Sequence, residues 1–145
     1  MLLALQDEFG ADVNIALFGL WRAKQGRSLS PSEFAALDIL VAEWRENVVQ
    51  PARRLRRAIK NSQDGSAAVS ELYGSVKHVQ LNSERIEQAR MFAANEVAAG
   101  SCDHELKQAA TLNLEAYGRM LGKVFPLDIV SGLASALHTM LDREG

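Results

Sequence analysis

Apolar residues in this chain recur every three or four positions, and that spacing constrains the fold more than any other feature. Phe34, Leu37, Val41, Trp44 and Val48 form one such run, the stripe by which a helix faces a core. The run opens on Ser30-Pro31-Ser32-Glu33. This pattern predicts a capping box: Ser30 accepts from the N–H near Glu33, and Glu33 reaches back to the Ser30 N–H. Pro31 suits the first helical position, and Leu29 and Phe34 take the positions of a hydrophobic staple.

The same spacing marks the rest of the chain. From about Leu2 to Lys24 one element is expected, and whether Gly10 interrupts it is left open by the pattern. Apolar residues between Val13 and Trp21 fall on every side, which predicts a central, enclosed helix. Pro51 should end or bend the second helix, whose pattern resumes at Ala52 with Leu55 and Ile59 inward. A turn over 61–65 precedes a long helix from about Ser66 to Ala98, stopped by Gly100. Its expected inner face is Val69, Leu72, Val76, Val79, Ile86 and Ala93, interrupted by Ser83, with a bend near Asn82. A fourth helix begins near Asp103, a candidate N-cap, and buries Leu106, Ala110, Leu114, Tyr117 and Leu121. A fifth, from about Leu127 to Asp142, buries Val130, Leu133, Leu137 and Leu141. The expectation is an all-α chain, one domain over residues 1–145, built as a bundle of about five helices with mostly antiparallel neighbours.

Composition narrows function. The chain has 145 residues, 48% of them apolar and 23% charged, enough to bury a core without disulfides or a structural metal. The single cysteine, Cys102, cannot form an internal disulfide, which suits a reducing compartment and a cytoplasmic location. A net charge of −2 disfavours nucleic acid as a partner, although a local basic patch remains open. The apolar start is too short for a signal peptide's core, and no run is long enough to insert in a membrane.

Four candidate features remain. Arg53, Arg54, Arg56, Arg57 and Lys60 crowd one short helix and could hold an anion or a protein partner; the plainer alternative is a solvated face paired with neighbouring acids. Asp12 and Asn14, with Asp7 and Glu8, lie beside the most apolar helix. They could line a ligand or catalytic pocket with Trp21, or simply cap a helix and fix packing. Glu43 with Glu46, and Glu84 with Glu87, have helical spacing but lack the Glu-x-x-His partners of a di-metal bundle site. His78, His104, His138 and Cys102 show no zinc spacing, and Cys102 has only the neighbouring probable cap to stabilise a thiolate. No cofactor, metal or catalytic residues are assigned. Tyr73, Tyr117 and the two tryptophans have core spacing rather than that of a base-stacking surface.

Several segments resemble a known family: Leu5-Gln6-Asp7, then Gly10-Ala11-Asp12-Val13-Asn14, the apolar run to Trp21, and Trp44 through Lys60 with its Gln50-Pro51-Ala52-Arg53-Arg54 centre. Together they are similar to a family of small bacterial proteins of unknown function, mainly over residues 5–60 and more weakly through Glu84 and Arg85. The resemblance implies a helical, cytoplasmic bacterial protein and no particular activity. It also implies that a segment preceding Leu5 in family members is missing here, which would expose an apolar strip for a partner. The expectation is a protein–protein interaction or adaptor module able to self-associate. The alternatives are phosphate or nucleic-acid binding through Arg53–Lys60, and a ligand carrier or enzyme with a pocket near Asp12.

Overall fold

The computed structural model describes residues 1–94, 98–101 and 104–143. The chain is all-α. Helices α1 (Leu2–Phe9), α2 (Val13–Lys24) and α3 (Pro31–Trp44) are followed by a π turn (Arg45–Val49) and by α4 (Gln50–Asn61), α5 (Ala67–Ala93), α6 (Leu106–Met120) and α7 (Leu127–Asp142). Since α3, the π turn and α4 run on without a break, the described residues hold six helical rods, one more than the periodicity suggested. The break at Gly10 accounts for the sixth. Gly10 has φ 68°, a left-handed conformation that suits glycine at a helix end. It lets the Gly10 and Ala11 N–H groups close on the carbonyls of Gln6 and Leu5.

The chain divides into two compact units, Met1–Asp38 with Ala94–Gly145, and Ile39–Ala93. In the first, α2 packs on α6 and α6 on α7. As expected of a central helix, α2 buries nearly its whole circumference, from Ile15 and Phe18 to Ala23. Tyr117 stacks on Phe34 with ring centroids 5.2 Å apart, and Phe125 bridges Tyr117 to Phe9 edge-on. On α6, Ala110, Leu114 and Tyr117 are buried as the spacing predicts. On α7, Val130 and Leu133 are buried, while Leu137 and Leu141 are half-buried.

The capping box forms as read. The Ser30 Oγ accepts from the Glu33 N–H at 3.2 Å, and a Glu33 carboxylate oxygen accepts from the Ser30 N–H at 2.9 Å. Leu29 and Phe34 beside it are both buried. Ser30→Ala should lower stability by about 1 kcal/mol in chemical denaturation. An unchanged midpoint would show that water satisfies this helix end equally well.

In the second unit the structure corrects the sequence reading twice. Pro51 does not end the helix, which runs on through the π turn into α4. Proline removes one hydrogen bond and its ring crowds the carbonyl four residues back. Here the preceding turn widens instead, with the Gln50 N–H bonding the Arg45 carbonyl five residues back. One extra residue in a turn rotates everything after it by about 100°. Val49 is therefore fully buried rather than Val48, and Leu55, expected inside, is exposed. Arg53 and Arg56 take the half-buried positions instead.

The second correction concerns α5. Its buried residues are Val76, Gln80, Ser83, Glu87 and Met91. Of the expected apolar face only Val76 is buried, and Val69 is half-buried; Leu72, Val79, Ile86 and Ala93 are exposed. Polar demand sets the orientation. The Trp44 indole N–H donates to the Ser83 carbonyl at 2.9 Å, and Arg53 needs the carboxylate of Glu84. An apolar edge of α5 could not supply that carboxylate, whereas the Ser83 acceptor is a main-chain carbonyl that any residue there would offer. The helix is continuous through Asn82 and ends at Ala93, so Gly100 does not terminate it. Gly100 has φ 71° and lies where a β-carbon would come 2.7 Å from the Ser28 carbonyl oxygen. It thereby allows the pair of backbone hydrogen bonds between Ser28 and Ser101. That isolated bridge is not a strand, and there is none among the described residues.

Candidate functional site

The basic helix α4 does not present its five cations together. Arg53 turns inward: its Nε donates to a Glu84 carboxylate oxygen at 2.9 Å, and its Nη2 lies 2.8 Å from the same oxygen. That oxygen also accepts from the Gln80 side-chain amide at 3.0 Å. Arg56 is half-buried, and Arg54, Arg57 and Lys60 are exposed. The turn after α4 borders a groove of about 410 Å³ lined by Ile59, Lys60, Asp64, Val69 and Tyr73 among others. Asp64 there accepts the Ser66 N–H. That backbone hydrogen bond, together with one from the Ser66 side chain, holds the Asp64 carboxyl below its usual pKa.

The two sides of α5 depart from the usual pattern of an amphipathic helix. Its packed side carries the amide, hydroxyl and carboxyl groups of Gln80, Ser83 and Glu87 between the apolar Val76 and Met91. Beside them the Arg90 guanidinium sits 4.4 Å from the centre of the Trp44 ring. The outward side carries Leu72, Val79 and Ile86, which are 51%, 55% and 43% exposed. Each lies seven residues from the next, so all three share one side of the helix with only about 20° of drift per step.

Asp12 and Asn14 sit in the first unit and are both buried. The Asp12 carboxylate accepts the Asn14 N–H at 2.8 Å, capping α2, while the Asp12 N–H donates to the Tyr117 hydroxyl at 2.7 Å. A second groove, of about 420 Å³, runs between α6 and α7 along Lys107, Thr111, Leu112, Ala134 and Ser135. Neither groove is lined by Asp12 or Asn14. Among the described residues, no group of three or more His, Cys, Asp or Glu side chains could hold a metal ion. No helix among them is long and apolar enough to cross a membrane. Cys102 and Asp103, the candidate thiolate and cap, lie outside the described residues.

With this geometry in place, comparison with known families gives a match to "Protein of unknown function (DUF2390)" over residues 1–91. The chain belongs to the DUF2390 family. No curated protein and no solved structure matches it. The DUF2390 match overturns part of the expectation drawn from resemblance. It begins at residue 1 and continues past Lys60 to residue 91, so the N-terminal portion is included rather than missing. The segments quoted around Leu5, Asp12 and Trp44 are only the most recognisable pieces of a longer DUF2390 stretch. That stretch takes in most of α5 and its outward apolar row.

Three buried polar residues escape the sequence reading: Gln80 on α5, described above, and Asn113 and Arg22 in the first unit. Asn113, fully buried on α6, accepts the Leu29 N–H at 2.6 Å and donates to the carbonyls of Gly19 and Arg27 at 2.7 and 3.0 Å. Its place between Ala110 and Leu114 in the inward run was the available signal, because a polar residue inside an apolar stripe needs a buried partner. Arg22 is also buried. Its guanidinium lies 4.9 Å from the Trp21 ring centre and donates to the Gln25 side-chain oxygen at 3.1 Å. Burial first, and the nearby charge of Arg27 second, push its pKa below the usual guanidinium value.

Proposed function

We propose that this chain is a protein–protein interaction module that binds another protein, or a second copy of itself, through the outer side of α5. The observation that carries this reading is the layout of α5: three of its five buried residues are the polar Gln80, Ser83 and Glu87, while the large apolar Leu72, Val79 and Ile86 are exposed. A row of large apolar side chains at helical spacing is stabilised when a partner covers it. The apolar final helix is a weaker candidate, because α7 buries Val130, Leu133 and Ala134 and packs on α6. The resemblance to small bacterial proteins and the lone cysteine support a bacterial cytoplasmic setting as part of this reading.

A photo-crosslinking amino acid placed at Val79 should give discrete adducts in expressing cells, whether to another copy or to a different protein. The same group at Lys77, exposed on another side of α5, should not. If Val79 gives no more adduct than Lys77, the reading is wrong.

A second reading rests on Arg54, Arg57 and Lys60, which stay exposed at three-residue spacing on α4. This face supports contact with phosphate groups, including those of nucleic acid. Arg53 is spoken for by Glu84, so the variant to make is Arg54→Glu with Arg57→Glu. Binding of a single-stranded RNA oligonucleotide should fall steeply with salt and disappear in this double variant. Binding that survives in the variant would refute the second reading. The buried groups of Asp12 and Asn14 serve a helix start and an interior contact, and this geometry lends no support to a ligand pocket there.

A further inference from the structure

We propose that α5 pairs antiparallel with α5 of a second copy of this chain, the twofold axis passing beside His78. The proposal rests on the interaction reading above and names its partner. Leu72, Val79 and Ile86 belong to a longer seam in which spacings of four and three alternate without interruption: Ala68, Leu72, Ser75, Val79, Asn82, Ile86, Ala89 and Ala93. Every one of these residues is exposed. Alternating four-three spacing is the repeat by which two helices wind around each other. Here the large residues occupy one position of the repeat, and Ala, Ser and Asn occupy the other. Antiparallel pairing sets those two positions opposite each other, so that large side chains meet small ones and the helices approach closely.

Charge selects both the partner and its direction. Along one border of the seam lie Glu71, His78 and Arg85, each seven residues from the next and all exposed. An antiparallel pair centred on His78 places Glu71 of each copy beside Arg85 of the other, forming two ion pairs by symmetry. A parallel pair in register instead brings this border against the opposite border of the partner, five residues further on. Arg85 would then face Arg90 of the second copy, and Glu71 would face Val76. The parallel arrangement thus gains no ion pair and adds a like-charge contact, whereas the antiparallel one is self-complementary.

Sedimentation velocity over a concentration series should show the full chain in a monomer–dimer equilibrium. Arg85→Glu should weaken it roughly tenfold, because two attractive pairs become two repulsive ones. Glu71→Arg should do the same, and the two exchanges together should return the dissociation constant to within roughly threefold of the parent. In a Cys102→Ser background, His78→Cys should form an intermolecular disulfide on mild oxidation. Leu72→Cys should not, since the two copies of residue 72 would lie roughly 18 Å apart along the helices. A chain monomeric at every concentration, or a double exchange no better than either single one, overturns the proposal. If the chain is monomeric while Val79 crosslinks to a different protein, self-pairing falls and the interaction reading stands. If Val79 crosslinks to nothing, both fall.

Discussion

Replacing Asn113 by alanine should lower stability by about 3–5 kcal/mol, a large share of what a domain of this size possesses. Its side chain accepts from the Leu29 N–H and donates to the Gly19 and Arg27 carbonyls, all within 3.0 Å. It thus ties α6 to α2 and to the loop before α3 at once. Alanine strands a buried N–H and takes a donor from two carbonyls, and each stranded group costs about 1–3 kcal/mol. Asn113→Asp tests the mechanism more sharply. It keeps an acceptor for Leu29 but sets a second carboxylate oxygen against two carbonyl oxygens, so it should be no more stable than the alanine variant. Urea denaturation followed by circular dichroism measures both. A loss under about 1 kcal/mol for Asn113→Ala would mean that water replaces the amide and that the three contacts hold little together.

That the sequence marks Asn113 only as a polar residue inside an apolar run, while it places Tyr117 in the core, has a physical cause. Periodicity reports which side of a helix is apolar, and α6 shows that side clearly through Ala110, Leu114 and Tyr117. It does not report which polar residue inside the stripe has a buried partner, because Gly19 and Leu29 become neighbours of α6 only after folding. The same limit misled the reading of α5. Ser83 looked like a flaw in an apolar face. It lies instead on the buried side, its carbonyl accepting from Trp44, and the face defined by Leu72, Val79 and Ile86 is the outer one. On α4 the cause was geometric. Pro51 announced a disturbance, but not that one residue would be absorbed into a π turn and carry Arg53 inward and Leu55 outward. Local chemistry was legible where it is complete within a few residues, as in the Ser30–Glu33 box. The basic site was legible only as a cluster: the sequence shows five cations on one helix, but not which of them Glu84 removes.

Gly19→Ala and Gly74→Ala should change stability in opposite directions, although both glycines lie within helices. Alanine is ordinarily favoured over glycine in a helix by about 1 kcal/mol. At Gly74 on α5 a new β-carbon meets nothing within 4 Å, so Gly74→Ala should stabilise by roughly that amount. At Gly19 on α2 the same atom would lie 3.0 Å from the tip of the Phe34 ring. Phe34 is buried and stacked on Tyr117, and Asn113 flanks the same spot with its own β-carbon 3.6 Å away, so the ring has little room to withdraw. Overpacking should outweigh the helix preference and leave a net loss of about 2 kcal/mol. Phe34→Leu supplies the decisive comparison, because it removes the atoms that collide. On its own it should destabilise by leaving a space beside Tyr117. Combined with Gly19→Ala, the total loss should be smaller than the sum of the two by about 1 kcal/mol or more, since the new methyl occupies volume the ring gave up. Additive losses would show that Gly19 is required by something other than the approach of Phe34.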